Sequence, residues 1–238
     1  MVLIQQYAEH ITNLMEKIQE EQIHNIKKAA TILADNILEG RLIHVVGTGG
    51  HSAMPVLEVL CRMGGPACFN PIYDPGITGS HGLYKAIYGP EVVYGYAKTI
   101  LEYNRVEKGD VMIITSAFGA NVVTIELADE ARKMGVYVIA ITSPDFSKSV
   151  PQDHQARHYS KKDLFEVADL VINTYVPPGD GVVEIEGLDV KAMPVSSILQ
   201  IFTINTLVGY MYHSLTAKGT KPERWICALA SGAEKHND

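Results

Sequence analysis

The chain is 238 residues long, with 47% hydrophobic and 20% charged residues, a composition that supports a buried core and excludes wholesale disorder. Twenty Lys and Arg against 27 Asp and Glu give a net charge of -7. The surface therefore has no general attraction for a phosphate backbone, which argues against nucleic acid as the partner. The three cysteines, Cys61, Cys68 and Cys227, form no C-x-x-C pair, so neither a disulfide framework nor a cysteine zinc site is expected.

No basic segment leading into an apolar core opens the chain, so no signal peptide is expected and a cytoplasmic location is. Ile4, Tyr7, Ile11, Leu14, Ile18, Ile23, Ile26, Ala30, Leu33 and Ile37 then follow at steps of three or four, apart from one step of five after Ile18. The pattern predicts a long N-terminal helix that Gly40 stops. At about 1.5 Å per residue it is ~50 Å long, more than the width of a small domain. Part of its apolar stripe is expected on a partner subunit; the alternative is a kink near Glu20 and Glu21 that folds it back on its own core.

Beyond Arg41 short apolar segments alternate with helical ones. Strands are predicted at residues 42–47, 66–72, 110–115, 136–142 and 168–174, with a short one at 182–185. Helices are predicted at 52–63, 91–103 and 121–134. Residues 194–217 carry no charge but include Ser196, Gln200, Asn205 and His213, which predicts a buried core helix and no membrane span. This alternation predicts an α/β architecture, a parallel sheet covered by helices on both faces. Ligands are expected beyond the C-terminal ends of the strands, where strand order reverses. The chain divides into a helical extension, residues 1–40, and an α/β domain, residues 41–238.

The first predicted strand runs into Gly47-Thr48-Gly49-Gly50-His51-Ser52. Glycines allow a sharp turn and a close approach to a ligand. Ser52 stands near a helix start, where free N–H groups and the helix dipole favour an anion. No Gly-Lys-Ser/Thr ends the segment, and Ser52 takes the last glycine position of G-x-G-x-x-G, so neither nucleotide motif is present. The segment reads as an anion-binding turn or as a tight strand-to-helix connection. A second strand leads into Ser116-Ala117-Phe118-Gly119-Ala120-Asn121, and two such turns from parallel strands would face one crevice. Ser143, after a further strand, adds a hydroxyl, and Lys148 a cation able to neutralise a phosphate.

These segments resemble the SIS (sugar isomerase) domain family. The resemblance rests on GTGGHSAM, the glycine pair of CRMGG, FNPI, SAFGAN, SKSVP, EVADLVIN, PPGDGVVEIEG and the HN before Asp238. It runs from about residue 41 to the end. It points nearest to bacterial SIS-domain proteins of phosphoheptose-isomerase type, and more distantly to sedoheptulose-7-phosphate isomerase and N-acetylmuramic acid 6-phosphate etherase. The resemblance implies a three-layer flavodoxin-like SIS fold with a five-stranded parallel sheet. It also implies a phosphorylated sugar bound at the serine-bearing turns, and a homodimer or homotetramer. Gly47, Gly49, His51, Ser52, Ser116, Gly119, Asn121, Ser143 and Lys148 are the expected ligand-binding residues, with no metal or other cofactor. Two departures stand out. Phe118 replaces the second serine of the family's Ser-x-Ser-Gly-x-Asn, and Gly50 is an extra residue in the first turn. Both bear on phosphate binding, and a different headgroup is the alternative.

Interconverting an aldose and a ketose needs a base that moves a proton between adjacent carbons, and an acid for oxygen or ring opening. By resemblance Glu58 falls where isomerases of this fold carry a glutamate, and it is the favoured base; the alternative is an ion pair with Arg62 at i+4. His81, in a glycine-rich loop, is the favoured acid, with His51 and His154 behind it. His154 and His158 lie four apart but outside any helical pattern, so no metal site is expected there. Glu184 and Glu186 share one strand face, either solvated or reaching the sugar hydroxyls. The leading expectation is a sugar-phosphate isomerase working through an enediol. A non-catalytic phosphosugar sensor and an etherase-like lyase are the alternatives.

Overall fold

A computed structural model of the chain describes residues 2–80, 82 and 88–237. Its helices are α1 (Leu3–Leu38), α2 (Met54–Val59), α3 (Tyr96–Tyr103), α4 (Val122–Lys133), α5 (Pro144–Ser149), α6 (Leu164–Val167), α7 (Ser196–Ala217) and α8 (Ala233–Asn237). Its strands are β1 (Ile43–Gly47), β2 (Phe69–Ile72), β3 (Val111–Thr115), β4 (Tyr137–Thr142), β5 (Leu170–Asn173), β6 (Gly181–Val183) and β7 (Ala192–Pro194).

The first helix is continuous through Glu20 and Glu21. Its buried line runs Ile18, Gln22, Ile26, Ala29 and Leu33, so the five-residue step is no phase shift, because Gln22 fills the missing position. A polar side chain is tolerated there because it is paired at both ends. Its Nε2 donates to the Tyr175 hydroxyl at 2.6 Å, and its Oε1 accepts from the Asn173 N–H at 3.1 Å. The helix packs along α7 and over β5 and β6.

The sheet has the order β2-β1-β3-β4-β5 with every pairing parallel. This is the expected flavodoxin-like arrangement, and it reverses direction between β1 and β3. Its three central strands are buried on both faces and alternate between two cores. Ile43, Val45, Ile113 and Ile139 join the core beneath α1 and α7. Val46, Met112, Ile114 and Val138 join the one beneath α3 and α4. At the N-terminal end of the sheet, Asn70 donates to Nδ1 of buried His44 at 3.0 Å. The proton therefore sits on Nε2, which donates to Asp110 at 3.0 Å. Among the described residues no helix is long and apolar enough to cross a membrane.

Two local differences from the sequence expectation matter for the site. The 91–103 segment is not one helix: a 3-10 turn at Pro90–Val92 is separated from α3 by Gly95, whose φ of 83° cannot continue a helix. Helices α5 and α6, six and four residues long, are too short to show a period in the sequence.

At the end of β1 the chain folds back over Gly47 so tightly that an added Cβ would lie 2.0 Å from the Ser52 carbonyl oxygen. Gly47→Ala is expected to destabilise the fold by at least about 2 kcal/mol, through backbone displacement. A denaturant-unfolding midpoint equal to that of the parent chain would show that the turn is loose.

Candidate functional site

Strands β1 and β3 end side by side, with Gly47 in register with Thr115, so the turns that leave them emerge at one edge. They are tied directly. Ser52 Oγ accepts the Ala117 N–H at 3.0 Å, Thr115 Oγ1 donates to the Ser52 carbonyl at 2.5 Å, and the hydroxyls of Thr48 and Thr124 are 2.6 Å apart. The second turn also closes on itself, since Ser116 Oγ accepts the Gly119 N–H at 3.1 Å. Gly119 has a φ of 52°, and a Cβ there would meet Thr142 Oγ1 at 2.8 Å and Leu164 Cβ at 2.9 Å, so only glycine fits. Ser116 is fully buried and shapes the turn from beneath. The N–H groups of Gly50, His51 and Phe118 make no hydrogen bond to the described residues.

The crevice above the turns has two chambers. The inner, about 190 Å³, is walled by Gly49, Gly50, His51, Ser52, Phe118 and Asp180. The outer, about 300 Å³, has Tyr88, Phe118, Phe146, Val150, His154 and Ala156 in its wall. Phe118, Phe146 and Glu91 belong to both. The two phenyl rings lie 6.0 Å apart, tilted at 60°, so Phe118 partitions the crevice and does not fill it. Asp180 is committed to capping α7. Its Oδ1 accepts the N–H groups of Val195 and Ser196 at 3.0 and 2.7 Å, and its Oδ2 accepts the Ser196 hydroxyl at 2.6 Å.

Glu91 is a candidate side chain that the sequence pattern did not mark. Placed on a continuous helix it would look solvated; the break at Gly95 turns it inward, to 1% exposure. Asn121 Nδ2 donates to its Oε2 at 2.6 Å, while Asn121 Oδ1 caps α4 through the Thr124 N–H. Glu91 Oε1 is buried and has no hydrogen-bond partner among the described residues, and it faces the first turn, 3.9 Å from where a Cβ on Gly49 would stand. Burial pushes its carboxyl up to about 7, against the opposing pull of the Asn121 hydrogen bond. Near neutral pH such a group can both accept and donate a proton.

The structure therefore gathers Gly49, His51 and Ser52 around the inner chamber, with Asn121 joined to it through Glu91. Other expected residues lie elsewhere. Glu58 is held by Arg62 at 3.4 Å and by the Asn205 amide at 3.2 Å, on the α7 side of α2 and outside both chambers. Ser143 donates to the Val176 carbonyl at 2.8 Å and caps α5. Lys148 is exposed, with its Nζ 5.3 Å from the Phe165 ring centre. Exposed Glu184 pairs with Lys191 at 3.6 Å. His158 is buried against Tyr94, and desolvation lowers its pKa. His81 lies outside the described residues. Arg157 lines the outer chamber, yet its guanidinium is engaged by Asp163 at 2.8 Å and by the carbonyls of Ser147, Val150 and Pro151.

A parallel sheet of this order, with its crevice at the β1–β3 reversal, defines a flavodoxin-like α/β class. The SIS domain model matches residues 6–143. A UPF0309 protein of Shouchella clausii is 33% identical, over 100% of this chain and 95% of that one. The chain belongs to the SIS domain family and to the UPF0309 proteins. Among solved structures, a phosphoheptose isomerase from Francisella tularensis shares the fold at a TM-score of 0.56 and 14% identity, over 87% of this chain and 95% of that one. A phosphoheptose isomerase from Neisseria gonorrhoeae does so at 0.55 and 15%, over 90% and 97%.

The raised Glu91 pKa has a consequence for stability. The unfolded chain releases this proton near 4.5, whereas the folded chain holds it to about 7. Between those values the folded state binds more protons, so this group's contribution makes stability fall as pH rises. Relative to the parent chain, Glu91→Gln is expected to gain up to about 3 kcal/mol from pH 4.5 to 7.5. Denaturant unfolding across that range measures it, and parallel profiles for the two proteins would contradict the assignment.

Proposed function

We propose that the chain binds a sugar phosphate in the divided crevice and interconverts its aldose and ketose forms through an enediol. The buried Glu91 Oε1 beside the first turn, without a hydrogen-bond partner among the described residues, is the observation that supports this best. The phosphate is received by the N–H groups of Gly50, His51 and Phe118, which bond to no described residue, and by the Ser52 hydroxyl, whose proton remains available while its oxygen accepts from Ala117. No Lys or Arg side chain is among the described residues lining the inner chamber, so the headgroup is recognised by amide dipoles and hydroxyls.

Glu91 then takes the proton from the carbon next to the carbonyl, and the electron pair forms the enediol double bond. The same carboxyl returns the proton to the neighbouring carbon. Asn121 holds Oε2, which leaves Oε1 as the reacting oxygen. His51, on the rim of the inner chamber, serves the oxygen protons and ring opening. Glu58 joins α2 to α7 and takes no part in the chemistry. The fold shared with phosphoheptose isomerases agrees with this chemistry.

The test is incubation with a panel of aldose and ketose phosphates in deuterated water, following deuterium at carbon and the formation of the isomer. The parent chain is expected to incorporate deuterium. Glu91→Gln should lose about 100-fold or more of that rate while binding the ligand within a few fold. Loss on Glu58→Gln with retention on Glu91→Gln would move the base to α2. Saturable binding without exchange from any sugar phosphate would leave a binding protein in place of an enzyme.

A further inference from the structure

The ionised form of buried Glu91 would gain by turning out to water. Asn121 holds its Oε2, but the segment that carries it needs a further hold. From Pro90 the chain makes one 3-10 turn, exposes Val93 and Tyr94, and reaches Gly95 at a φ of 83°. Glycine takes negative φ about as readily, so nothing in the residue itself fixes this bend.

The group that fixes it is Glu126 on α4. Its Oε2 and Oε1 accept the Gly95 N–H at 2.8 and 3.1 Å. Glu126 is half-buried, and desolvation raises its pKa while the Gly95 hydrogen bond lowers it. Asn121 and Glu126 stand five residues apart, about 7.5 Å along the helix axis. Helix α4 therefore grips the segment at both Glu91 and Gly95, and buried Val122, Val123, Ile125 and Leu127 seat that helix in the core. On the exposed side, the Tyr94 hydroxyl accepts the Tyr159 N–H at 3.0 Å. Glu126 itself lines neither chamber.

Resting on the Glu91 chemistry proposed above, we infer that Glu126 is a positioning residue: by holding the Gly95 N–H it keeps Glu91 turned into the crevice, without touching the ligand. The other titratable groups in the chamber walls, His51, Asp180, His154 and Arg157, stand on other elements, and they are common to every variant below.

The experiment follows the Glu91 carboxyl by carbon-13 nuclear magnetic resonance across pH, its signal assigned by its loss in Glu91→Gln, beside the deuterium-exchange assay and the binding of inorganic phosphate. In the parent chain Glu91 is expected to titrate near 7. In Glu126→Ala it is expected to fall by about one pH unit or more toward the ordinary carboxylate range, and exchange to slow about tenfold or more, with phosphate bound within a few fold. Glu126→Gln keeps an oxygen that accepts the Gly95 N–H without the charge, and both readouts are expected to stay close to those of the parent chain. Glu126→Asp keeps the charge but shortens the reach, so it is expected to follow Glu126→Ala, and it decides the matter where the alanine variant does not fold. A parent-like Glu91 titration in Glu126→Ala or Glu126→Asp would overturn the inference. So would equal falls in the alanine and glutamine variants, which would assign the effect to charge, or a loss of phosphate binding, which would make Glu126 a support of the whole crevice. If the parent chain exchanges deuterium into no sugar phosphate, the isomerase reading fails, while the Glu91 titration still decides whether Glu126 positions it.

Discussion

One hydrogen bond, from the Ala117 N–H to Ser52 Oγ at 3.0 Å, joins the two turns at the reversal point of the sheet. It is fully buried, and in such surroundings an unmade partner costs about 1–3 kcal/mol. The crevice therefore has a fixed floor. Parallel pairing of β1 with β3 brings both turns to the same edge, Gly47 lets the first one fold flat, and the serine then locks them together. The serines of these turns act first as architecture: Ser116 closes its own turn and Ser143 begins α5, and neither lines the inner chamber as Ser52 does.

A rigid floor explains how a buried carboxyl is tolerated above it. Glu91 has one oxygen satisfied by Asn121 and one left without a described partner, an arrangement that costs stability and that functional sites commonly retain. Its position follows from a backbone detail, the break between the 3-10 turn at Pro90–Val92 and α3, where left-handed Gly95 stands before the helix. Asn121 links the pieces, because the same amide that caps α4 also orients Glu91. Displacement of the second turn would thus be felt at the carboxyl.

Much of the fold was legible because its signals are periodic. Five apolar segments of four to six residues between helical ones dictate a parallel sheet, and the stripe of α1 was readable except at Gln22, where polar pairing substitutes for an apolar contact. The glycine-rich turns were legible as turns, and their convergence follows from parallel strands. The division of labour within them was not. Whether a serine faces a ligand or a neighbouring amide depends on orientations that residue types do not encode, as Ser116 and Ser143 illustrate. Glu58 and Glu91 show the same limit. Glu58 sat beside apolar neighbours on a clean helix, yet it faces Arg62 and Asn205. Glu91 sat in an apparently solvated position and became buried through a single break in helical continuity.

Nuclear magnetic resonance titration of the labelled chain with inorganic phosphate, read at backbone amides, tests the convergence of the two turns on one anion most directly. The account predicts saturable shifts at Gly50, His51 and Phe118 that share a single dissociation constant, with Lys148 unmoved. Shifts centred on Lys148 and α5, or different constants for the two turns, would contradict a common anion-binding floor.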